Sequence, residues 1–389
     1  MRSPARLFLA LLAVAAATQV AAASDRFTPA DPNFVVANVR QALPDEELRG
    51  LLAASRSDPE SEATQVALAA AFIERARKLR EPRYFGRAVA VLAPTVTKPG
   101  AGAALRRLYA QVLQYRHDFL AAEVVLDSIL HEFPRDDDAR LLRASVRLVR
   151  GDFAGARSDC AQLAAGGSGA AQIGFACLAE SLAGGGQFER ALALLDSQSG
   201  REQAADPLAH AYLLATRAEL RERNRDLDGA IADYHAALAL APRDDSIRAA
   251  LADALAVRGS TQEARELLAV DRPSLALLVR SAALFHGKPR AEFMARARAW
   301  LDLEASRGDA MHYREAAMLA LLDESPALAL DAARRNFEVQ KELPDVRVLA
   351  RAARAAGDAG AVQSLRRWLV DTGYHDSITE NVLGAAPHS

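Results

Sequence analysis

Small and large apolar residues alternate along this chain with a long, regular beat. An alanine sits in one helical stretch and a second small residue follows twelve positions later. This happens nine times: Ala76 and Ala88, Ala110 and Ala122, Ala144 and Ala156, Ala179 and Ala191, Ala218 and Ala230, Ala252 and Ala264, Ala283 and Ala295, Ala317 and Ala329, Ala352 and Ser364. Successive first members are separated by 34, 34, 35, 39, 34, 31, 34 and 35 residues. A period in the thirties marks a repeat array in which each unit buries its apolar face against its neighbours. Between the rungs, apolar residues recur three and four apart, the spacing of a helical face. Each unit therefore reads as two helices joined by a tight turn. Four residues after each second rung stands a filler, in order Leu92, Leu126, Cys160, Leu195, Tyr234, Leu268, Ala299, Ala333 and Trp368, expected to pack between one hairpin and the next.

The small residues have a steric reason. Two helices of a hairpin approach closely only where the crossing side chain is small, and a leucine there would cost about 1–3 kcal/mol of overpacking. The unit Ala211–Asp244 illustrates the punctuation. One helix runs to Glu222, Asp226 and Asp228 flank a turn, a second helix reaches Leu240, and Pro242 ends it, since proline cannot continue the ladder of hydrogen bonds. Asp245 and Ser246 open the next unit as caps. Gly151 and Gly259 share one turn position, and Pro134 and Pro242 share one exit position.

This pattern resembles the tetratricopeptide repeat. Counted from Ala211, the residues at positions 8, 20, 24, 27 and 32 are Ala218, Ala230, Tyr234, Ala237 and Pro242. Counted from Ala103 they are Ala110, Ala122, Leu126, Ile129 and Pro134. The aromatic residues common at positions 4 and 11 are largely missing. The resemblance implies an all-α fold, a right-handed superhelical solenoid of about nine helix-turn-helix hairpins. The 39-residue step carries a loop around Ser199–Asp206, and the 31-residue step predicts a shortened helix near Asp271–Pro273. The expected organisation is a leader at 1–23, a lead-in and capping helix at 24–61, regular repeats at 62–273, irregular hairpins at 274–378, and a disordered tail at 379–389.

Composition refines this picture in two places. Hydrophobic residues make up 51% and aromatic residues 6%, so alanine and leucine supply the apolar surface, which suits packed helices more than sheets. A net charge of −2 with both signs interspersed points away from a nucleic-acid partner. Residues 1–23 read as an export signal: Arg2 and Arg6, an apolar run from Leu7 to Val14, then Ala21-Ala22-Ala23 before Ser24. The chain is also similar to exported tetratricopeptide-repeat proteins of Gram-negative bacteria. A periplasmic or exported location is expected, with an inner-membrane tether as the alternative if the signal is not cleaved.

Candidate chemistry is sparse. Cys160 and Cys177 lie on consecutive helices in a compartment that permits a disulfide. The alternative is a pair of buried thiols. No two histidines stand four apart, and the glycine clusters Gly166–Gly169 and Gly184–Gly186 lack the phosphate-loop lysine and a preceding strand. No nucleophile, base and orienter converge, so neither an enzyme nor a cofactor is expected. The enzyme alternative would place a site near His312, Tyr313, Arg314 and Glu315.

What remains is the inner surface. The resemblance assigns it to the first helix of each unit, at positions 2, 5, 9 and 12. Those positions hold Arg77, Arg80, Arg107, Gln111 and Gln114 early in the chain. Glu180, Tyr212, Glu219, Glu222 and Asp253 follow in the middle, and Leu277, Leu284, Met318, Leu321, Val346 and Leu349 come late. A protein or peptide partner is expected along this groove, its acidic part toward Arg77 and Arg107. Arg107 and Gln111 also resemble half of a carboxylate clamp, but Asp138 and Leu142 in the next unit do not complete it.

Overall fold

A computed structural model describes residues 46–79, 81, 83–166, 171–198, 206–307 and 311–384. Twenty helices and no strand occur among them. A first helix, α1 (Glu46–Ser57), precedes the hairpins. The next pairs are α2 (Glu62–Leu79) with α3 (Arg83–Val96), α4 (Ala103–Tyr115) with α5 (Phe119–Glu132), and α6 (Asp137–Arg150) with α7 (Phe153–Ala165). The middle of the array holds α8 (Ala171–Gly184) with α9 (Phe188–Asp196), α10 (Pro207–Arg223) with α11 (Leu227–Leu240), and α12 (Asp245–Arg258) with α13 (Thr261–Leu268). The last third holds α14 (Leu275–Leu284) with α15 (Gly287–Arg307), α16 (Tyr313–Leu322) with α17 (Pro326–Val339), and α18 (Leu343–Ala355) with α19 (Ala359–Thr372), before the short α20 (Ser377–Leu383). Each helix packs chiefly on its sequence neighbours, as a solenoid requires.

The turns share one local solution. His117, Gly151, Arg225 and Gly357 take left-handed backbone angles. The aspartate that follows each, at 118, 152, 226 and 358, accepts a hydrogen bond from the backbone N–H three residues on. That carboxylate satisfies one of the unpaired donors at the helix start. The Asp-rich turns are therefore helix caps.

The ladder holds for seven of its nine rungs, whose members are at most 3% exposed. Two rungs are displaced. Ala283 and Ala295 are exposed; Ala282 and Ala297 are the fully buried pair. In the last hairpin Ala352 is buried and Ser364 is exposed, with Ala361 and Leu365 turned inward instead. The filler Ala299 is likewise exposed, and Trp300 and Leu301 pack in that hairpin. The reason lies in helix length. α13 has only 8 residues and α15 has 21, so the register set by uniform hairpins slips by a residue or more. The expected tail also begins later, because residues 379–383 belong to α20. The predicted leader, residues 24–45 of the lead-in, the loop at 199–205 and residues 385–389 lie outside the described residues.

Residues 48–389 form one compact unit, and its last third turns back onto its middle. The Lys341 N–H donates to the Val149 carbonyl at 2.7 Å. Arg223, 1% exposed, donates to the His375 carbonyl at 2.7 Å and stacks on the Tyr374 ring at 4.1 Å. Arg347 on α18 joins Glu222 on α10 to Asp376 at the start of α20. Gly186 and Gly373 meet so closely that a Cβ on Gly373 would stand 2.8 Å from the Gly186 Cα, and both have positive φ. Only glycine fits such a contact without strain. The inner helices thus face a wall made by their own C-terminal repeats.

Candidate functional site

The inner face carries three adjoining cavities. The first, about 500 Å³, is lined by Arg107, Gln111, Leu142, Ile173 and Tyr212 among others. The second, about 600 Å³, is lined by Glu180, Tyr212, Glu219, Glu222 and Asp253 from the middle repeats, and by Arg314, Glu315, Glu342 and Arg347 from the returning C-terminal third. The third, about 440 Å³, shares Asp253, Arg280, Pro344 and Arg347 with the second and adds Met318 and Leu321. Tyr212 links the first to the second. Together they form one groove.

The structure brings Glu180, Tyr212, Glu219, Glu222 and Asp253 into a single chamber. Arg107 and Gln111 stand in the neighbouring cavity. Gln114 donates to the Ser145 hydroxyl at 3.0 Å. Arg77 is exposed in the last turn of α2, away from these cavities, and Arg80 lies outside the described residues. Arg107 is paired with Asp136 at 2.6 Å and Asp138 at 3.6 Å, so much of its charge is already met within the chain. Leu277, Val346 and Leu349 do not line the groove. They are buried in the core, at 0%, 0% and 6% exposure, because α14 and α18 are each covered by four neighbouring helices. Leu284, Met318 and Leu321 do face the third cavity.

The chamber is acidic beyond its internal pairing. Eight carboxylates and three arginines line it, and each arginine is engaged. Arg280 is bidentate on Asp253 at 2.7–3.0 Å. Arg314 holds Glu342 and Asp345. Arg347 holds Glu222 and Asp376. Among the described residues Glu180 accepts only from the Tyr212 hydroxyl, at 2.9 Å, and Glu219 lies 3.8 Å from Arg223. Burial, with repulsion from Glu219, pushes the Glu180 carboxyl up to about 8. Burial, opposed by Arg223 and reinforced by Glu222, pushes Glu219 up to about 7. Burial also drives the Tyr212 and Tyr234 hydroxyls well above their usual range.

Cys160 and Cys177 are joined in a disulfide between α7 and α8, with a Cα–Cα distance of 5.5 Å. The two helices nearly touch beside it, where a Cβ on Gly174 would meet the Ala164 nitrogen at 2.5 Å. Of the residues around 312–315, His312 lies 2.8 Å from Glu304 and 5.5 Å, ring to ring, from His117. Tyr313 sits under the Arg335 guanidinium.

Sequence reasoning missed two groups. Asp159 is gripped by Arg143 and Arg147, and Asp233 by Arg217 and Arg221. The signal was present, since both units carry Arg, three residues, Arg, eleven residues, Asp. The C-terminal wall of the chamber had no such signal. Glu315, Glu342 and Arg347 are far from α10 along the chain and meet it only through the return of the solenoid.

No family model and no curated protein matches this sequence. Several solved structures are similar in fold. One is the crystal structure of the APC/C hetero-tetramer Cut9–Hcn1, 14% identical, with a TM-score of 0.48, covering 87% of this chain and 66% of that one. The second is a tetratricopeptide repeat protein from Parabacteroides merdae, 14% identical, with a TM-score of 0.37, covering 72% of this chain and 97% of that one. A third is yeast Tom70, 16% identical, with a TM-score of 0.36, covering 82% and 61%. The chain spans less than two thirds of the first and third. The fold is a solenoid of tetratricopeptide-like hairpins, on the evidence of the helix pairs, the shared Asp-capped turns and the seven buried rungs.

Proposed function

We propose that this protein is an exported, non-enzymatic scaffold that holds an extended segment of a protein partner along its inner face. The observation that carries this reading is that three cavities share lining residues from α4 to α18, with charged groups set in a largely apolar lining. Extended concave surfaces are the usual binding surfaces of solenoids. The three arginines of its central chamber are each held in ion pairs, which fixes a charge pattern for recognition. Export rests on the leader pattern at residues 1–23, and sequencing the mature N-terminus tests it. For binding, a photo-crosslinking side chain at Leu142 or Ala250, in the groove, is compared with one at Leu120 or Val124, which are 64% and 69% exposed on α5. One partner crosslinked from the groove and not from α5 is the expected outcome. Crosslinks from α5 alone would overturn the reading.

A further inference from the structure

The chamber between α8, α10, α12, α16 and α18 has more acceptors than its own chain uses. Glu315 is only 7% exposed and lines the cavity, yet it makes no hydrogen bond or ion pair among the described residues. The Thr216 hydroxyl, on α10, is 7% exposed, lines the same cavity and is likewise without a hydrogen bond among the described residues. Both groups line the cavity, so what meets them there is solvent or a ligand. Glu180 and Glu219 add two carboxylates that no arginine holds at hydrogen-bond distance. Four acceptor groups from three helices, α8, α10 and α16, thus line one net acidic cavity.

The chemistry of a complement follows. It must be cationic, because carboxylates outnumber arginines and every lining arginine is already paired. A bare metal ion does not suit the spacing, since no group of three His, Cys, Asp or Glu among the described residues is close enough to hold one. The N–H···O contacts of an organic cation are longer than metal–ligand bonds, so its acceptors stand further apart. A guanidinium prefers planar, bidentate carboxylates, whereas an ammonium is a compact charge with separately directed donors. Acceptors arriving from three different helices match the ammonium. The apolar part of the lining, including Ala211, Ala215 and Ala250 with the Tyr212 ring, suits a methylene stem.

We propose that this chamber is a binding site for an aliphatic ammonium group, whose three donors draw on the acceptors Glu180, Glu219, Glu315 and Thr216. The inference rests on the reading of the groove as the binding face. It specifies what the face selects at its centre: a lysine side chain of the bound segment, or a free linear polyamine. Burial favours the protonated forms of Glu180 and Glu219, which face each other and Tyr212, Glu222 and Arg223 on α10, with Glu342 and Arg347 from the α18 side. A cation in their midst favours the ionised forms and releases those protons.

The test is calorimetric titration of the full mature chain with spermidine and, separately, with a capped tri-lysine peptide, at matched ionic strength. Saturable one-to-one binding of either probe is expected, with proton release, tightening as pH rises from 6 to 8. Spermidine alone would identify a free polyamine as the source, and the peptide alone a lysine side chain. The Glu219→Gln/Glu315→Gln variant should weaken binding at least tenfold, and Thr216→Val severalfold with an unchanged helical spectrum. Should the double variant fail to fold, Thr216→Val and the proton release still decide. No saturable binding of either probe, or equal binding by the variants, would overturn the inference. It would leave the groove reading intact if Leu142 still crosslinks a partner.

Discussion

At the scale of single residues, the recurring Arg-Arg-Asp clamp is the most consequential feature that alanine spacing did not reveal. Asp233 is 5% exposed and receives three hydrogen bonds from Arg217 and Arg221 at 2.7–2.8 Å. A buried charge pair adds little net stability over an apolar pair of the same shape, but removing one partner strands the others. Asp233→Ala should therefore destabilise the protein by about 3 kcal/mol, on that same reasoning, measured as a lowered midpoint in urea. Replacing exposed Asp228, in the first turn of the same helix, should change the midpoint little. An equal effect at both positions would show that the clamp does not act as described. The alanine rungs were legible because sterics acts on one residue type at a fixed interval. The clamps were legible only in part, because arginine and aspartate are also common on solvated surfaces. The acceptors of the central chamber were not legible in full. Glu180 and Glu219 lie on the expected inner positions, whereas Glu315 gains its role from a fold-back that no local spacing encodes.

At the scale of elements, hairpin length decides where periodic reasoning succeeds. From α2 to α13 six of six rungs are buried as expected, because the extra residues of the 39-residue step fall between α9 and α10 and leave the hairpins' own spacing intact. Past α13 the lengths change, and two of three rungs are displaced. α13 is short and α15 long, so positions counted from earlier units fall on other faces of α14, α15 and α19, while α16 and α17 keep theirs. One junction has covalent support. The Cys160–Cys177 bond closes a short loop between α7 and α8, the sort of crosslink that contributes about 3 kcal/mol by restricting the unfolded chain. The Cys160→Ala/Cys177→Ala variant, or the wild type in reductant, should lose stability on that scale in a denaturant titration. Denatured, unreduced protein should expose no thiol. Two titratable thiols would mean that the bond does not form in solution, and the loss of stability should then vanish.

At the scale of the whole molecule, nearest-neighbour stacking does not account for everything between residues 48 and 389. A pure solenoid is stabilised by nearest-neighbour interfaces, and its ends fray first. Here α18–α20 are also tied to repeats more than a hundred residues earlier, through Arg347 to Glu222, Arg223 to the His375 carbonyl, and Arg225 to Asn381 at 3.2 Å. These contacts make the last hairpins a wall of the groove, so they set both its width and its charge. Arg223 is the best single probe, because its guanidinium is buried, bonded to two carbonyls at 2.7 and 3.3 Å, and stacked on Tyr374. Arg223→Ala leaves those carbonyls without their donor and Tyr374 without its cation. The expected result in hydrogen exchange is faster exchange across residues 374–383 and 343–355, with residues 119–165 unchanged. Such a pattern identifies the closure as a separate cooperative unit, whose opening would admit a partner segment to the central chamber. Acceleration spread evenly over all repeats would instead mean that Arg223 stabilises the array as a whole, and that the chamber opens only when the solenoid unfolds.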